Sequence, residues 1–365
     1  LINQSFFIVC IAIIVGLKKQ EQPAHNPMFF NMDQEYKEIV RDQEIFNFTG
    51  QDTTVVHQLR MLSDSLGAPR FFYADIETPV CADGECKLAK IKVYWNLLGN
   101  YVGFGVFKKT PLTKNEHDPF THADYKKLHQ LLGDRYSVLE RRKMDDLIDE
   151  VPIVGVALKT YKGIDAISGA TKKEIKESVV KGGLYSCYTL WHLVNGAVVN
   201  AMKSYLETIY SDAITNYLLQ SNYLDYQEYG LKKLSKDKFE KHIEDVIRIF
   251  HTTSPITRAY ILKKIPNELF QKSIVTRHFY SKFHEVDKNT RTQLIAKMIE
   301  SDPKSSELLV IHIDIMTNNQ LESYLELLKK HSAYLNEFIK KELKTYARSK
   351  DVKYNLKVKE FIREV

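Results

Sequence analysis

Cysteine is scarce in this chain: Cys10, Cys81, Cys86 and Cys187 are the only four in 365 residues. That excludes a disulfide-built scaffold, and a structural zinc site would need a second close cysteine pair that is missing. Cys81 and Cys86 flank the turn-forming sequence Ala-Asp-Gly-Glu, so they either close a small loop in an oxidising compartment or remain two free thiols. No Gly-rich phosphate loop, G-x-S-x-G elbow or H-E-x-x-H helix occurs, which removes the common nucleotide, esterase and zinc-protease readings. Charge of one sign is not gathered anywhere: the formal +6 is scattered, so nucleic acid is not implied as a partner. Long apolar runs are also absent except for 6–17 (FFIVCIAIIVGL), followed by Lys18 and Lys19. A bilayer core asks for about 20 apolar residues and a secretory h-region for about 7 to 15. The run is therefore expected to be an export signal or short anchor, cleaved or retained, with a linker to about residue 27; a buried strand or helix is the alternative.

What is present is ordinary for folded protein: 44% apolar and 27% charged residues exclude wholesale disorder. The length exceeds what one core usually serves, so two domains are expected, 28–200 and 201–365. From Asp33 to Leu66 the apolar spacing reads as helical, ended by Gly67-Ala68-Pro69. Residues 90–95 (KIKVYW) alternate, with Ile91, Val93 and Trp95 on one face, and 101–107 (YVGFGVF) follow the turn Leu98-Gly99-Asn100. This pair reads as a β-hairpin with Gly103 and Gly105 as bulge or close-approach positions. Thr121 to Asp124 offers a capping box, with Tyr125, Leu128, Leu131 and Leu132 on one helical face. Residues 151–158 (VPIVGVAL) read as a strand, and helical spacing resumes after Thr171 through Ile175, Val179, Leu184, Tyr188 and Trp191. Beyond about Asn200 strand signals vanish. Helix-sized segments recur about every 15 to 20 residues between breaks at Pro255, Pro266, Pro303 and Asn318, and pairs of roughly 40 residues suggest a HEAT-like helical repeat domain.

The chemistry is concentrated in Asp165-Ala166-Ile167-Ser168-Gly169-Ala170-Thr171. A hydroxyl that is to become a phosphodiester needs an exposed loop, and Gly169 and Ala170 add no bulk to block a large phosphate donor. A helix starting near Thr171 would turn its free N–H groups and positive end toward a phosphate, and Lys172 and Lys173 add charge of the right sign. Asp165 would repel that phosphate in the product, so it makes more sense as a handle for a modifying enzyme, through a magnesium ion. The alternative is a plain strand-to-helix turn with Ser168 or Thr171 as N-cap.

The segment resembles the flavinylation motif Asp-x-x-Ser/Thr-Gly-Ala-Ser/Thr of the FMN-binding domain family, found in the flavin-carrying subunits of sodium-translocating NADH:quinone oxidoreductase. The resemblance spans roughly 87–196. It implies an α+β FMN-binding domain, an antiparallel sheet with helices, in which a flavin transferase attaches FMN through its phosphate to Thr171, with Asp165, Ser168, Gly169 and Ala170 completing the motif. Glu174 departs from a family position that often carries a hydroxyl, and no Thr-Pro-Gly turn is recognisable. The ring's contacts are therefore left among Tyr94, Trp95, Tyr101, Phe104, Tyr185, Tyr188, Trp191 and His192, each equally readable as core. The function implied is extracytoplasmic electron transfer, periplasmic or anchored to the outer face of the cytoplasmic membrane, toward an unidentified redox partner or membrane complex. Flavin-dependent reduction of a small substrate, noncovalent flavin binding and a non-redox scaffold stand beside it. Glu116, His117, Asp118, His122, Asp124 and His129 have metal-ligand chemistry but irregular spacing, and Asp124 already has a role as a cap.

Overall fold

The computed structural model describes residues 27–32, 39–50, 54–80, 88–107, 109–114, 117–147, 173–349 and 353–365. The chain divides into two compact units, 1–209 and 210–365. The alternating segments of the first unit form β5 (Ala89–Asn96) and β6 (Tyr101–Val106), paired antiparallel from Ile91 with Val106 to Trp95 with Tyr101. Their connection is tight because the Asn96 carboxamide oxygen accepts from the Leu98 and Asn100 amides, while Gly99 takes φ +73°, where a side chain would be strained. Around this hairpin lies a six-stranded sheet in the order β1-β6-β5-β4-β3-β2, antiparallel throughout, with β1 (Phe29–Phe30), β2 (Ile39–Thr49), β3 (Val56–Asp64) and β4 (Pro69–Thr78). Gly103 lets β1 approach: a Cβ there would overlap the Phe29 carbonyl and the Phe30 ring.

The helix expected over 33–66 is corrected by β2 and β3. Register shifts between Ile39 and Arg41 and between Glu44 and Phe46 displace the alternation of β2, so apolar residues fall at 39, 40, 45, 46 and 48, a spacing that imitates a helix. In β3 the alternation of exposed Val56 and Gln58 with buried His57 and Leu59 is that of a strand with one face in the core.

Among the described residues four helices belong to this unit: α1 (His122–Gly133), α2 (Lys173–Ser178), α3 (Leu184–Asn195) and α4 (Ala197–Ile209). The Thr121 to Asp124 capping box is formed, and Tyr125, Leu128, Leu131 and Leu132 are the buried residues of α1. The continuous helix expected after Thr171 is instead two, because Gly182 at φ +75° breaks the chain between α2 and α3. One sheet face, with Ile91, Val93 and Trp95, receives the helices. The Trp95 indole N–H donates to the Val194 carbonyl at 2.8 Å, and Tyr205 of α4 packs on Phe46 and Phe72.

The second unit contains helices only, among its described residues. Five helical hairpins follow one another: α5 (Asp212–Gln220) with α6 (Leu224–Lys233), α7 (Ile243–Thr252) with α8 (Pro255–Lys264), α10 (Ser273–Ser281) with α11 (Lys288–Lys297), α12 (Ser305–Val310) with α13 (Asn318–Lys330), and α14 (Glu337–Arg348) with α15 (Asn355–Glu364). A short α9 (Asn267–Phe270) sits between the second and third. The first helices start 31, 30, 32 and 32 residues apart, so the repeat is shorter than the roughly 40 residues expected. First helices stack on first helices, α5 on α7, α7 on α10, α10 on α12, α12 on α14, and α8 packs on α11 and α11 on α13 in a second layer. Side-chain hydrogen bonds across successive hairpins repeat the period: Glu228 with Thr257, Asp287 with Arg258, Thr292 with Gln320, Glu307 with Asn336 and Asp314 with Tyr346 are separated by 28 to 32 residues. The buried apolar residues of the five hairpins join in one continuous core, from Leu219 to Phe361. Among the described residues no helix is long and apolar enough to cross a membrane.

Candidate functional site

Asp165, Ser168, Gly169, Ala170 and Thr171, with the expected strand 151–158, lie outside the described residues, as do the apolar run 6–17 and the Cys81 and Cys86 pair. The described flanks belong to the first unit. On one side Leu147 ends a 3-10 turn, Met144–Leu147, and is fully buried. On the other, α2 starts at Lys173, buries Ile175 and packs against the 3-10 turn Val138–Arg141. Both ends of the segment carrying the motif are thus fastened to the core by apolar anchors.

The helix that follows supplies the firmest local geometry. The Trp191 indole N–H donates to the Asp134 carbonyl at 2.8 Å, the Tyr188 hydroxyl to Arg142 O at 3.1 Å, and the Asn195 amide to Leu132 O at 3.0 Å. His192 Nε2 lies 3.1 Å from Leu139 O, so that nitrogen carries the proton and donates. Its ring packs on Tyr188 at 4.4 Å and edge-on to Trp191 at 5.0 Å. These contacts tie α3 to the very turns that support α2.

Tyr94, Trp95, Tyr101, Phe104, Tyr188, Trp191 and His192 are buried, so they serve the core. Tyr185, half-buried on α3, is the one of the eight with surface left. Cys187 is wholly buried, accepts the Val180 N–H on its sulfur at 3.4 Å, and has its thiol pushed up to about 12 by that burial, the property of an inert packing residue.

The acidic and histidine residues before α1 do not converge. Glu116 lies outside the described residues, while His117 and Asp118 are exposed. Burial opposes ionisation of Asp124, but hydrogen bonds from Lys114, at 2.7 Å, and from Thr121 outweigh it and hold the carboxyl below its ordinary range. His129 turns the other way: its Nδ1 accepts from the Tyr101 hydroxyl at 2.8 Å, its Nε2 donates to Asn31 at 3.2 Å, and its ring stacks on Phe29. This latch on β1 carries no signal in sequence spacing, because its members come from positions 29, 31, 101 and 129. Among the described residues no three His, Cys, Asp or Glu side chains are grouped to hold a metal ion.

A surface recess of about 330 Å³ lies where β4, β5 and the end of β6 meet, lined by Asp75, Ile76, Glu77, Lys90, Phe107, Lys109 and Thr110. Lys90 pairs with Glu77 at 2.6 Å across the strands, and Lys92 lies over the Phe107 ring. In the lining Asp75 and Glu77 offset Lys90 and Lys109, so the recess offers no net charge for an anionic ligand.

Comparison of the chain with protein-family models, curated proteins and solved structures finds no match.

Proposed function

We propose that the chain is an exported electron-transfer flavoprotein carrying FMN as a phosphoester on Thr171, with the first unit as the flavin-bearing α+β domain and the hairpin array as a HEAT-like docking domain. The observation that carries this reading is the sequence Asp165-Ala166-Ile167-Ser168-Gly169-Ala170-Thr171, which meets the flavinylation pattern at every specified position. Its context adds support: Leu147 and Ile175 anchor both flanks in an α+β unit. A flavin supplies two-electron acceptance with one-electron release, suited to a relay. Of this chain's residues, Thr171 would hold the phosphate, and Gly169 and Ala170 would leave room for the flavin transferase. With seven of the eight candidate aromatics buried in the core, a covalent tether accounts for retention of the flavin better than a stacked pocket does. The run 6–17 would place the domain outside the cytoplasmic membrane or anchor it there, next to its redox partner.

A second reading, a non-redox scaffold, is favoured by the five-hairpin array, since such arrays usually present binding surfaces. In-gel flavin fluorescence of the denatured protein separates the two. The protein is made beside a flavin transferase, in parallel with Thr171→Val, and the peptide spanning 165–172 is weighed. A fluorescent band lost in the variant, with one FMN on that peptide, is the expected result; a dark wild-type band leaves the scaffold.

A further inference from the structure

Histidines recur at one place in three successive hairpins: His251, His284 and His312 lie at or just past the end of the first helix of the second, third and fourth. His312 is half-buried against the preceding hairpin. Its ring stacks on His284 with centroids 5.1 Å apart and planes 29° apart, and on Phe283 at 6.0 Å and 24°. The surrounding charges are unequal. His284 has a carboxylate beside it, Glu285 at 3.4 Å, which Lys282 shares at 3.3 Å. His312 instead faces Arg291 of α11, whose guanidinium is fixed by Val286 O at 3.1 Å and Ile315 O at 2.8 Å. From α7, His251 looks toward Lys282, His278 and Glu285. On the far side, Asp314 accepts the Tyr346 hydroxyl of α14 at 2.7 Å, and Lys353 donates to Met316 O.

We propose that the joint between the third and fourth hairpins is a proton-operated switch: stacked neutral rings of His284 and His312 hold it closed, and protons on both rings set two imidazolium groups and Arg291 together and loosen the joint. Stacked neutral imidazoles attract through their faces and bury apolar ring surface. Two cations at the same separation repel, and with no carboxylate paired with His312 among the described residues the repulsion is released by separation of the hairpins. Burial first, then His284 and Arg291, depress the His312 pKa, in keeping with a proton being resisted at His312 while the stack is closed. Because hairpins touch only their neighbours, loosening one joint bends the array there and leaves the other joints closed.

The experiment is NMR titration of the imidazole C2–H signals in the full chain, for wild type, His284→Gln and His312→Gln, with amide hydrogen exchange at pH 8 and pH 5 corrected for intrinsic rates. In His284→Gln the His312 midpoint should rise by roughly half a pH unit from its wild-type position, the size of one screened like charge at this separation. Acid should cost protection in α10 to α13 of wild type, and that loss should be absent from His312→Gln. A His312 midpoint indifferent to His284→Gln, or an acid-induced loss that persists in His312→Gln, overturns the proposal. Both residues retain surface exposure, so neutral replacements are compatible with folding.

Discussion

At the scale of single residues, positions that admit no side chain say most about assembly. Gly103 is the point where β1 closes the sheet: the Phe29 carbonyl and the Phe30 ring occupy the volume a Cβ would need. Backbone cannot yield as the tip of a flexible side chain can, so Gly103→Ala should force β1 off β6. Overpacking of this kind costs about 1–3 kcal/mol, to be read as a lower urea midpoint of the first unit and faster proteolysis near residues 27–32. An unchanged midpoint would mean that β1 adds nothing to the sheet. The sequence marked Gly103 as a close-approach position, since an isolated glycine in an alternating strand has few other uses. It did not reveal what approaches, because Phe29 is more than seventy residues upstream. The same separation hid the His129 latch. Residues whose role is local, such as Thr121 and Asp124 in their capping box, were legible; residues whose partners are distant in the chain were not.

Whole elements were read well where one periodicity ruled. α1 keeps an undisturbed period, and its buried face is the one the spacing marked; in β5 the marked residues Ile91, Val93 and Trp95 are buried although the pairing with β6 shifts register between Tyr94 and Trp95. β2 failed because two bulges moved its apolar residues off alternation, and the α2 to α3 boundary failed because Gly182-Gly183 left helical spacing intact on both sides. The 31-residue repeat was legible only as recurring helices, since its constant feature is a cap-and-lock geometry carried by different residues. Ser254, Asp287 and Thr317 cap the second helices of successive hairpins. Asp287 does most: its carboxylate accepts from the Asn289 and Thr290 amides, from the Thr290 hydroxyl and from Arg258 of the preceding hairpin. Asp287→Ala should therefore lose a cap and leave Arg258 without its ionic partner there, about 2–3 kcal/mol in the denaturation midpoint of the second unit. Asp287→Asn, which can still cap, should recover about half. Equal losses in the two variants would show that the cap is immaterial and the charge on Asp287 carries the effect.

For the molecule as a whole, burial acts on histidine in one direction. His57 and His129 in the first unit, and His242, His251 and His312 in the second, all have their pKa lowered, with burial the largest cause. A base whose folded pKa lies below its unfolded value binds more protons in the unfolded chain, so stability rises with pH through that window. The contribution is complete above about pH 6.5, the unperturbed histidine value, and is lost as pH falls through the folded values. The carboxylates add to the same trend further down: Lys238 and Lys241 hold Asp212 at about 2, and Asp124, Asp287, Glu322 and Glu326 are also lowered. Those groups matter only below about pH 5, where unfolded carboxylates begin to take up protons. Two separable transitions are expected, because the chain has two compact units with their own cores. Both should move to lower denaturant between pH 8 and pH 5, before any carboxylate contributes. His57→Gln should flatten the slope of the first transition alone: its imidazole is buried on β3, its Nε2 has no hydrogen-bond partner among the described residues, and it meets Phe48 rather than a charge. A first transition as stable at pH 5 as at pH 8 would mean that these imidazoles admit protons without loss, and that burial is not what governs their charge.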